Sequence, residues 1–290
     1  MLILACGPLG NPGDATDRLK RALLSAPYIA AEDSRKLSRL AHDLGVVYTG
    51  KVISYFEGNE VERIEQLTQI LVSGQDLLVI TDAGAPGISD PGYRLIRAAI
   101  EQNIGISVLP GPSAVTTALL LSGLPTDRYC FEGFSPRTSG TRVGWYQGLL
   151  EESRTIIFFE APHRLQESLH DAVQVFGADR QGAICREMTK TYEETVRGSL
   201  SELIAWSAGK EILGELTVVL SGFNASNNIY GEKELMRLVL VQESAGEGRK
   251  EAIASVAKSL NLPKRTVFDA VVRFKSLETG SRSDVDKITP

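Results

Sequence analysis

Leu77-Leu78-Val79-Ile80-Thr81-Asp82-Ala83-Gly84-Ala85-Pro86-Gly87-Ile88-Ser89-Asp90-Pro91-Gly92 changes character abruptly at Thr81. The apolar run Leu77–Ile80 reads as a strand buried on both faces. A Gly/Pro-rich loop opening on a carboxylate follows, and Tyr93–Ile100 then takes up helical spacing. Strand, structured loop and helix in this order form the unit of open α/β sheets, which hold ligands outside the carboxyl ends of their strands. The glycines let the backbone come close to a ligand, and the prolines hold the loop's shape. Long ordered loops in compact domains are commonly functional, so this one is read as a binding loop. Asp82 is placed to accept from an amine or a hydroxyl; a capping or turn-forming role is the alternative.

The same alternation extends to both sides. Leu2–Cys6 is a short buried strand followed by a second glycine-rich loop, Gly7–Asp14, and a helix over Asp17–Leu24. Tyr28–Ala31 is a strand leading directly into Glu32-Asp33-Ser34-Arg35, and Glu60–Leu71 is an amphipathic helix with Ile64, Leu67, Ile70 and Leu71 on one face. Ile104–Leu109 is a strand closed by Pro110-Gly111-Pro112-Ser113, ahead of a small apolar helix over Ala114–Leu121. This pattern predicts an α/β domain over 1–122 built on a parallel, doubly wound sheet. Gly123-Leu124-Pro125-Thr126-Asp127 is the natural hinge. Strands over Tyr129–Phe134, Thr155–Phe159, Gly182–Cys185 and Leu216–Leu220, with helices over His163–Phe176 and Leu200–Ala208, predict a second α/β domain over 123–223. Its sheet is expected to be mixed, because several connections are short enough for hairpins.

Ser221–Asn228 is rich in Ser and Asn and opens a linker read over 224–245. Ile253, Val256, Ala257 and Leu260 mark one helix face, Asn261-Leu262-Pro263 a turn, and Val267, Ala270, Val271 and Phe274 a second face. They predict a helix-turn-helix over 246–278, with a disordered tail over 279–290. Arg249, Lys250, Lys258, Lys264, Arg265, Arg273 and Lys275 make this the basic end of the chain. It either contacts nucleic acid or packs as a solvated hairpin on the body or on a partner subunit.

With 290 residues, 43% hydrophobic and 23% charged, the composition is that of an ordinary globular protein. Apolar runs are far too short for a membrane span and no charged-then-apolar leader opens the sequence, so a cytoplasmic protein is expected. Cys6, Cys130 and Cys185 are scattered, and only His42, His163 and His170 could join them, so reduced thiols and no metal site are expected. A net charge of −5 argues against a nucleic-acid-binding surface over the whole molecule. The loops carrying Gly10, Asp82 with Gly84, and Ser113 should converge on one sheet edge and form a cleft against the second domain. There is no G-x-x-x-x-G-K-[ST] loop, and Gly7, Gly10 and Gly13 have the wrong spacing for a dinucleotide fingerprint. The ligand should be small and polar rather than triphosphate-like.

Six segments occur in order: Pro8-Leu9-Gly10-Asn11, Ala30-Ala31-Glu32-Asp33-Ser34-Arg35, Asp82–Gly92, Pro110-Gly111-Pro112-Ser113-Ala114, Phe131-Glu132-Gly133-Phe134 and Glu160-Ala161-Pro162-His163-Arg164-Leu165. Together they resemble the ribosomal RNA small subunit methyltransferase I group of the tetrapyrrole methylase superfamily, over about Leu2–Phe223. The C-terminal hairpin is similar to that group's appended helix-turn-helix. The resemblance implies the two-domain tetrapyrrole methylase fold and a homodimer. It also implies 2′-O-methylation of a cytidine ribose in the decoding region of 16S rRNA in the 30S subunit, with S-adenosylmethionine as donor. It places the donor against Leu9, Gly10, Asp82, Gly84, Ala85, Ser113 and Ala114, and against Phe159, Met188 and Thr217 of the second domain.

A ribose hydroxyl is a poor nucleophile at neutral pH, so a base or a cation that stabilises the developing alkoxide is expected. Strand ends offer Glu32, Asp33 and Arg35; Glu160, His163 and Arg164; and Arg186, Glu187 and Lys190. Glu160 or Glu32 is the first choice for the base, with Arg35 beside them in the catalytic group and, with Arg164, holding RNA phosphates. A structural turn is the alternative for Glu160, and a helix start for His163. Arg137, Arg142, Arg164, Lys264 and Arg265 are the expected RNA contacts. Three segments depart from the group's pattern: Ala85 stands where threonine is usual, Ala5-Cys6-Gly7 replaces a more Pro-rich strand exit, and Ser135–Trp145 is less basic. Competing readings are a tetrapyrrole (precorrin-type) methyltransferase and a non-catalytic, cofactor-sensing regulator that binds nucleic acid through the hairpin. The acidic charge further suggests an assembled ribosomal particle as substrate, recognised by shape.

Overall fold

The computed structural model describes residues 1–223, 232–260, 262, 264, 265 and 267–272, in two compact units divided at Gly222/Phe223. In the first unit, β1 (Leu2–Ala5), α1 (Asp17–Ser25), β2 (Tyr28–Ala31), α2 (Ser34–Asp43), β3 (Lys51–Ser54), α3 (Glu60–Val72), β4 (Leu77–Ile80), α4 (Tyr93–Glu101), β5 (Ile106–Leu109) and α5 (Ala114–Ser122) come first. They are followed by β6 (Tyr129–Phe134), α6 (Ser139–Gly148), β7 (Thr155–Glu160), α7 (Leu165–Phe176), β8 (Gln181–Arg186), β9 (Glu194–Ser199), α8 (Leu200–Ser207) and β10 (Leu216–Leu220). The first sheet has strand order β3-β2-β4-β1-β5 and is parallel throughout; the second, β6-β7-β10-β8-β9, is parallel only at β6–β7.

Strand side chains alternate between sheet faces, so each apolar strand feeds two layers. Leu2, Leu4, Leu77 and Val79 pack under Leu67 and Leu71 of α3 and Leu95 and Ala99 of α4. Ala5, Ile29, Leu78 and Ile80 pack on the opposite face under Leu19 and Leu23 of α1 and Leu37 of α2. That is the doubly wound arrangement expected of the alternating pattern. The second sheet buries Phe158, Ile184, Val218 and Leu220 against Tyr146, Leu169 and Leu203 from α6, α7 and α8. Its other face, at Ile157, Cys185 and Val219, is covered by Val115, Ala118 and Leu119 of α5. The last helix of the first half therefore belongs, by packing, to the second sheet, and this joins the two halves into one unit.

Four elements of this unit lay outside the expected pattern: α2, β3, α6 and β9. Asp33 starts α2, its carboxylate accepting the Arg35 backbone N–H at 2.8 Å. The segment noted as less basic than the group's pattern, Ser135–Trp145, is mostly α6. The strand expected from Ile104 begins at Ile106, and a 3-10 turn over Pro162–Arg164 precedes α7.

In the second unit, α9 (Glu232–Ser244) occupies much of the stretch read as linker. Leu235, Met236 and Val239 lie on one helical face and are buried with Ala252, Ile253, Val256 and Ala257 of α10 (Arg249–Ser259) and with Val267, Ala270 and Val271 of a helical segment within 264–272. The expected helix pair is thus accompanied by a third helix that shares its core. The linker positions 224–231, Asn261, Pro263, Arg273, Phe274, Lys275 and the expected tail 279–290 lie outside the described residues. No helix among the described residues is long and apolar enough to cross a membrane. Cys6, Cys130 and Cys185 are buried free thiols, and burial pushes Cys130 and Cys185 each up to about 11.

Candidate functional site

Three loops leave the carboxyl edge of the parallel sheet together. Gly7 N–H donates to the Gly84 carbonyl at 2.8 Å and Gly84 N–H returns the bond at 3.2 Å, stitching the β1 loop to the β4 loop. Gly84 sits at φ +66°, where a side chain is strained. Cys6 N–H donates to the Leu109 carbonyl at 3.1 Å, drawing in the β5 exit. The β4 loop is closed on itself: Gly87 N–H donates to the Pro91 carbonyl at 3.1 Å, and Gly92 N–H to Glu60 Oε1 at 3.0 Å. At Gly92, φ is +143° and an added Cβ would lie 2.9 Å from Gly87 N, so only glycine closes the turn.

The facing wall comes from the ends of β7, β8 and β10. Glu187 and Thr189 hold left-handed backbone, at φ +50° and +65°, on either side of Met188. Such conformations cost about 1–3 kcal/mol each and are concentrated at functional sites. Asn11 N–H donates to Thr189 Oγ1 at 3.2 Å, tying the β1 loop of one half to the β8 loop of the other. Phe159, on β7, is packed edge-on by Phe131 and Phe134, with ring centroids 4.8 and 5.3 Å away.

A cavity of about 420 Å³ lies between these walls, within the usual range for small-molecule sites. Leu9, Asp82, Gly84, Ala85, Ser113 and Ala114 line it from one side, and Phe159, Met188 and Thr217 from the other. Glu32 and Glu160 reach it as well. Gly10 lines an adjoining cavity of about 430 Å³, where an added Cβ would meet the Lys190 stem at 2.2 Å. Leu9, Glu32, Lys36, Asp82, Ala83 and Glu215 line both cavities. Sequence reasoning missed Lys36, Asp90 and Glu215 as cavity residues. Asp90 was inside the quoted loop, and Lys36 lies close after Asp33 on α2. Glu215 carried no signal, since it reaches the site only through the antiparallel return of β10.

The lining is acidic. Lys36 Nζ lies 2.8 Å from Asp82 Oδ2, and Lys190 Nζ is shared between Glu187 at 2.8 Å and Glu215 at 3.0 Å. Glu32 Oε2 accepts the Asp82 N–H at 3.0 Å, while burial and the neighbouring Asp82 push its carboxyl up; the N–H bond and Lys36 partly oppose this. Asp90 is pushed up to about 7, first by burial and then by the nearby Glu32 carboxylate.

The structure departs from several expectations about individual residues. Glu160 lies in the wall, but its carboxylate accepts from Ala161 N–H at 2.9 Å, from Arg164 Nη2 at 2.9 Å and from the Ser135 hydroxyl. Those three donors, one of them a guanidinium, fix the carboxylate in the turn and stabilise its ionised form, so the turn-anchoring role fits better than that of base. Arg164 is consequently mostly buried and committed to Glu160 and the Ser135 carbonyl, not free to hold phosphate. Arg142 is fully buried, 2.7 Å from Asp171 and 3.0 Å from Glu167, and binds α6 to α7 rather than RNA. Arg35 is exposed, held by Asp33 at 2.7 Å, and lines neither cavity, so it stands outside the catalytic group. Arg35 in turn holds the Asp33 carboxyl well below the usual range. His163 is exposed in the 3-10 turn; Arg137, Lys264 and Arg265 are exposed and remain accessible.

Residues 1–204 match the family model for tetrapyrrole (corrin/porphyrin) methylases. A Mycobacterium tuberculosis protein named ribosomal RNA small subunit methyltransferase I is 46% identical over 283 residues, covering 96% of each chain. Its namesake from Bacillus subtilis is 36% identical over 276 residues, covering 93% of each. The chain belongs to the ribosomal RNA small subunit methyltransferase I family of tetrapyrrole methylases. Solved methylases of this superfamily share the fold of the first unit. The methyltransferase CobJ superposes with a TM-score of 0.59 at 16% identity, covering 76% of this chain and 93% of its own. The uroporphyrin-III C-methyltransferase of Thermus thermophilus, solved with S-adenosylhomocysteine, superposes at 0.53 and 16% identity, covering 75% of this chain and 95% of its own. The cavity of this methylase thus lies where its loops, and not its strand interiors, are specialised.

Proposed function

We propose that this methylase transfers a methyl group from S-adenosylmethionine to the ribose 2′-oxygen of a cytidine in the decoding region of 16S rRNA. The observation that carries this reading is the cavity itself: an acidic, half-apolar pocket between two sheet edges, in a family whose members are named for small-subunit ribosomal RNA. The residues suit the donor's chemistry. Glu32, Asp82 and Glu215 surround the space with carboxylate and favour a ligand carrying sulfonium and ammonium charge, while Leu9, Val115, Phe159 and Met188 offer apolar cover for a flat ring. When bound, the donor supplies an electrophilic methyl group.

Much of the rest is positioning by this chain. The stitched β1 and β4 loops hold one wall, and the Asn11–Thr189 bond holds the other in register with it. Fixing reactants in line recovers about 7–11 kcal/mol of barrier in well-oriented systems. The same carboxylates repel phosphate, so the RNA backbone stays outside and only the ribose edge enters. Arg137 and Arg35, exposed on the first unit, and Lys264 and Arg265 on the second unit supply phosphate contacts, and the enzyme works as a homodimer in the cytoplasm on the 30S particle. Domains over 1–122 and 123–223 share the catalytic work, with the C-terminal helices as an RNA-contacting appendage.

The test offers labelled donor to 30S subunits, naked 16S rRNA and a precorrin in parallel, followed by digestion of the RNA to nucleosides. Label in 2′-O-methylcytidine from 30S subunits supports the reading. Label in the precorrin alone overturns it, and donor binding without transfer points to a regulator. Equal labelling of naked and assembled RNA removes the particle requirement.

A further inference from the structure

Asp90 stands apart from the other carboxylates of the cavity. The turn that carries it is pinned on both sides, by the Gly87–Pro91 bond at 3.1 Å and by Glu60 on the Gly92 N–H at 3.0 Å. Ser89, just before it, is held at φ +61°. Asp90 lines the cavity, while the Thr81 hydroxyl donates to the Ala83 carbonyl at 3.2 Å. Among the described residues no cation pairs with it. Lys36 is taken by Asp82, Lys190 by Glu187 and Glu215, Arg94 by Glu60, and Arg164 by Glu160. Glu32, Asp82 and Glu215 face it with like charge. Each rival acceptor is otherwise engaged: Glu32 holds a backbone N–H, Asp82 an ammonium, and Glu160 its set of donors.

We infer that Asp90 is the catalytic base, the group that takes the proton from the hydroxyl being methylated. The inference rests on the reading of the chain as a ribose methyltransferase. In the step, the hydroxyl oxygen bonds to the methyl carbon while the carbon–sulfur bond breaks. The electron pair of that bond stays on sulfur, which leaves as a neutral thioether, and the hydroxyl proton passes to the Asp90 carboxylate. Burial and the surrounding carboxylates bring Asp90 to about 7, near the operating pH, where general bases are most effective because ionisation and proton affinity are balanced.

The experiment compares wild-type enzyme with Asp90→Asn and Asp90→Glu on the RNA substrate, across the neutral pH range, alongside calorimetric donor binding and infrared spectra of the free protein. Asp90→Asn is expected to lower kcat by about 10²–10⁴-fold with donor Kd nearly unchanged, and Asp90→Glu to recover part of the loss. Wild-type activity should rise with pH through a midpoint near 7, and Asp90→Asn should lack that limb. The protonated-carboxyl stretch that fades over the same range should be missing from Asp90→Asn. Full activity in Asp90→Asn, an unchanged pH limb, or a donor affinity that falls in step with kcat overturns the assignment. A wild-type enzyme that binds donor but methylates no RNA overturns the functional reading, and the base assignment falls with it.

Discussion

Replacing Arg142 by Ala separates a structural cation from a phosphate-binding one. The guanidinium is fully buried, with Nε and Nη2 each 2.7 Å from Asp171 Oδ2, Nη2 3.0 Å from Glu167, and Nη1 donating to the Pro136 carbonyl at 3.2 Å. Asp171 is itself only 4% exposed and otherwise takes a bond from Ser139 Oγ at 2.8 Å. Removing the arginine leaves a buried carboxylate without its counter-charge and opens a void between α6 and α7. Breaking a buried pair from one side costs about 3–5 kcal/mol. For a unit of this size each kcal/mol moves the melting temperature by about 2–4 °C, so a fall of about 6–20 °C is expected. The double variant Arg142→Met with Asp171→Leu removes both charges and should restore most of the loss, because apolar replacement of a buried pair is close to neutral. Calorimetric melting of the wild type and the two variants, with RNA affinity measured against salt, reads both roles. Deleting a surface cation that neutralises one phosphate would lower the salt slope by about 0.9 and leave melting alone. That pattern in Arg142→Ala would refute the assignment of this residue to the helix pair.

Further outcomes follow from the same geometry. Saturating S-adenosylmethionine, at a hundred times its Kd, should add about 2.7 kcal/mol and raise melting by about 5–11 °C in a concentration-dependent way; differential scanning calorimetry with and without donor checks this. Gly84→Ala makes only an ordinary contact, its Cβ 3.8 Å from Leu9, so the left-handed backbone alone opposes it, at about 1–2 kcal/mol. Donor affinity by calorimetry should weaken while circular dichroism stays native. Glu160→Gln should cost about 1.5–3 kcal/mol in urea melts through its charged hydrogen bonds, with kcat changing far less than the 100-fold or greater loss expected on removing a base. Asp90 gives a stability signature of opposite sign to a salt-bridged aspartate. The folded chain keeps a proton up to about pH 7 that the unfolded carboxyl has already released, so this group's contribution falls as pH rises from the unfolded value, 3.8, through 7. Asp90→Asn should therefore gain stability over wild type progressively across that interval, as measured by melting at matched pH.

Local periodicity and loop chemistry were enough to determine the doubly wound first sheet, the mixed second sheet and the three post-strand loops. Leu77–Ile80 can be buried only on two faces, and the glycines of the following loop are demanded by backbone angles that no neighbour alters. Leu9, Gly84, Ser113, Phe159, Met188 and Thr217 were placed by resemblance to the methylase group rather than by periodicity, and all six line the cavity. Other features were not local. Arg142 reads from the sequence as an RNA contact, but Asp171, far along the chain, pairs with it and buries its charge between two helices. The stretch Glu232–Ser244 lost its apparent linker character because Leu235, Met236 and Val239 found a core supplied by later helices. Likewise Glu160 and Arg164 drew together with Ser135, while Asp90 was left facing other carboxylates with no cation beside it among the described residues. Charge compensation depends on which distant groups come within a few ångströms, and that is set by tertiary packing; a residue's type and spacing say only what it could do once a partner arrives.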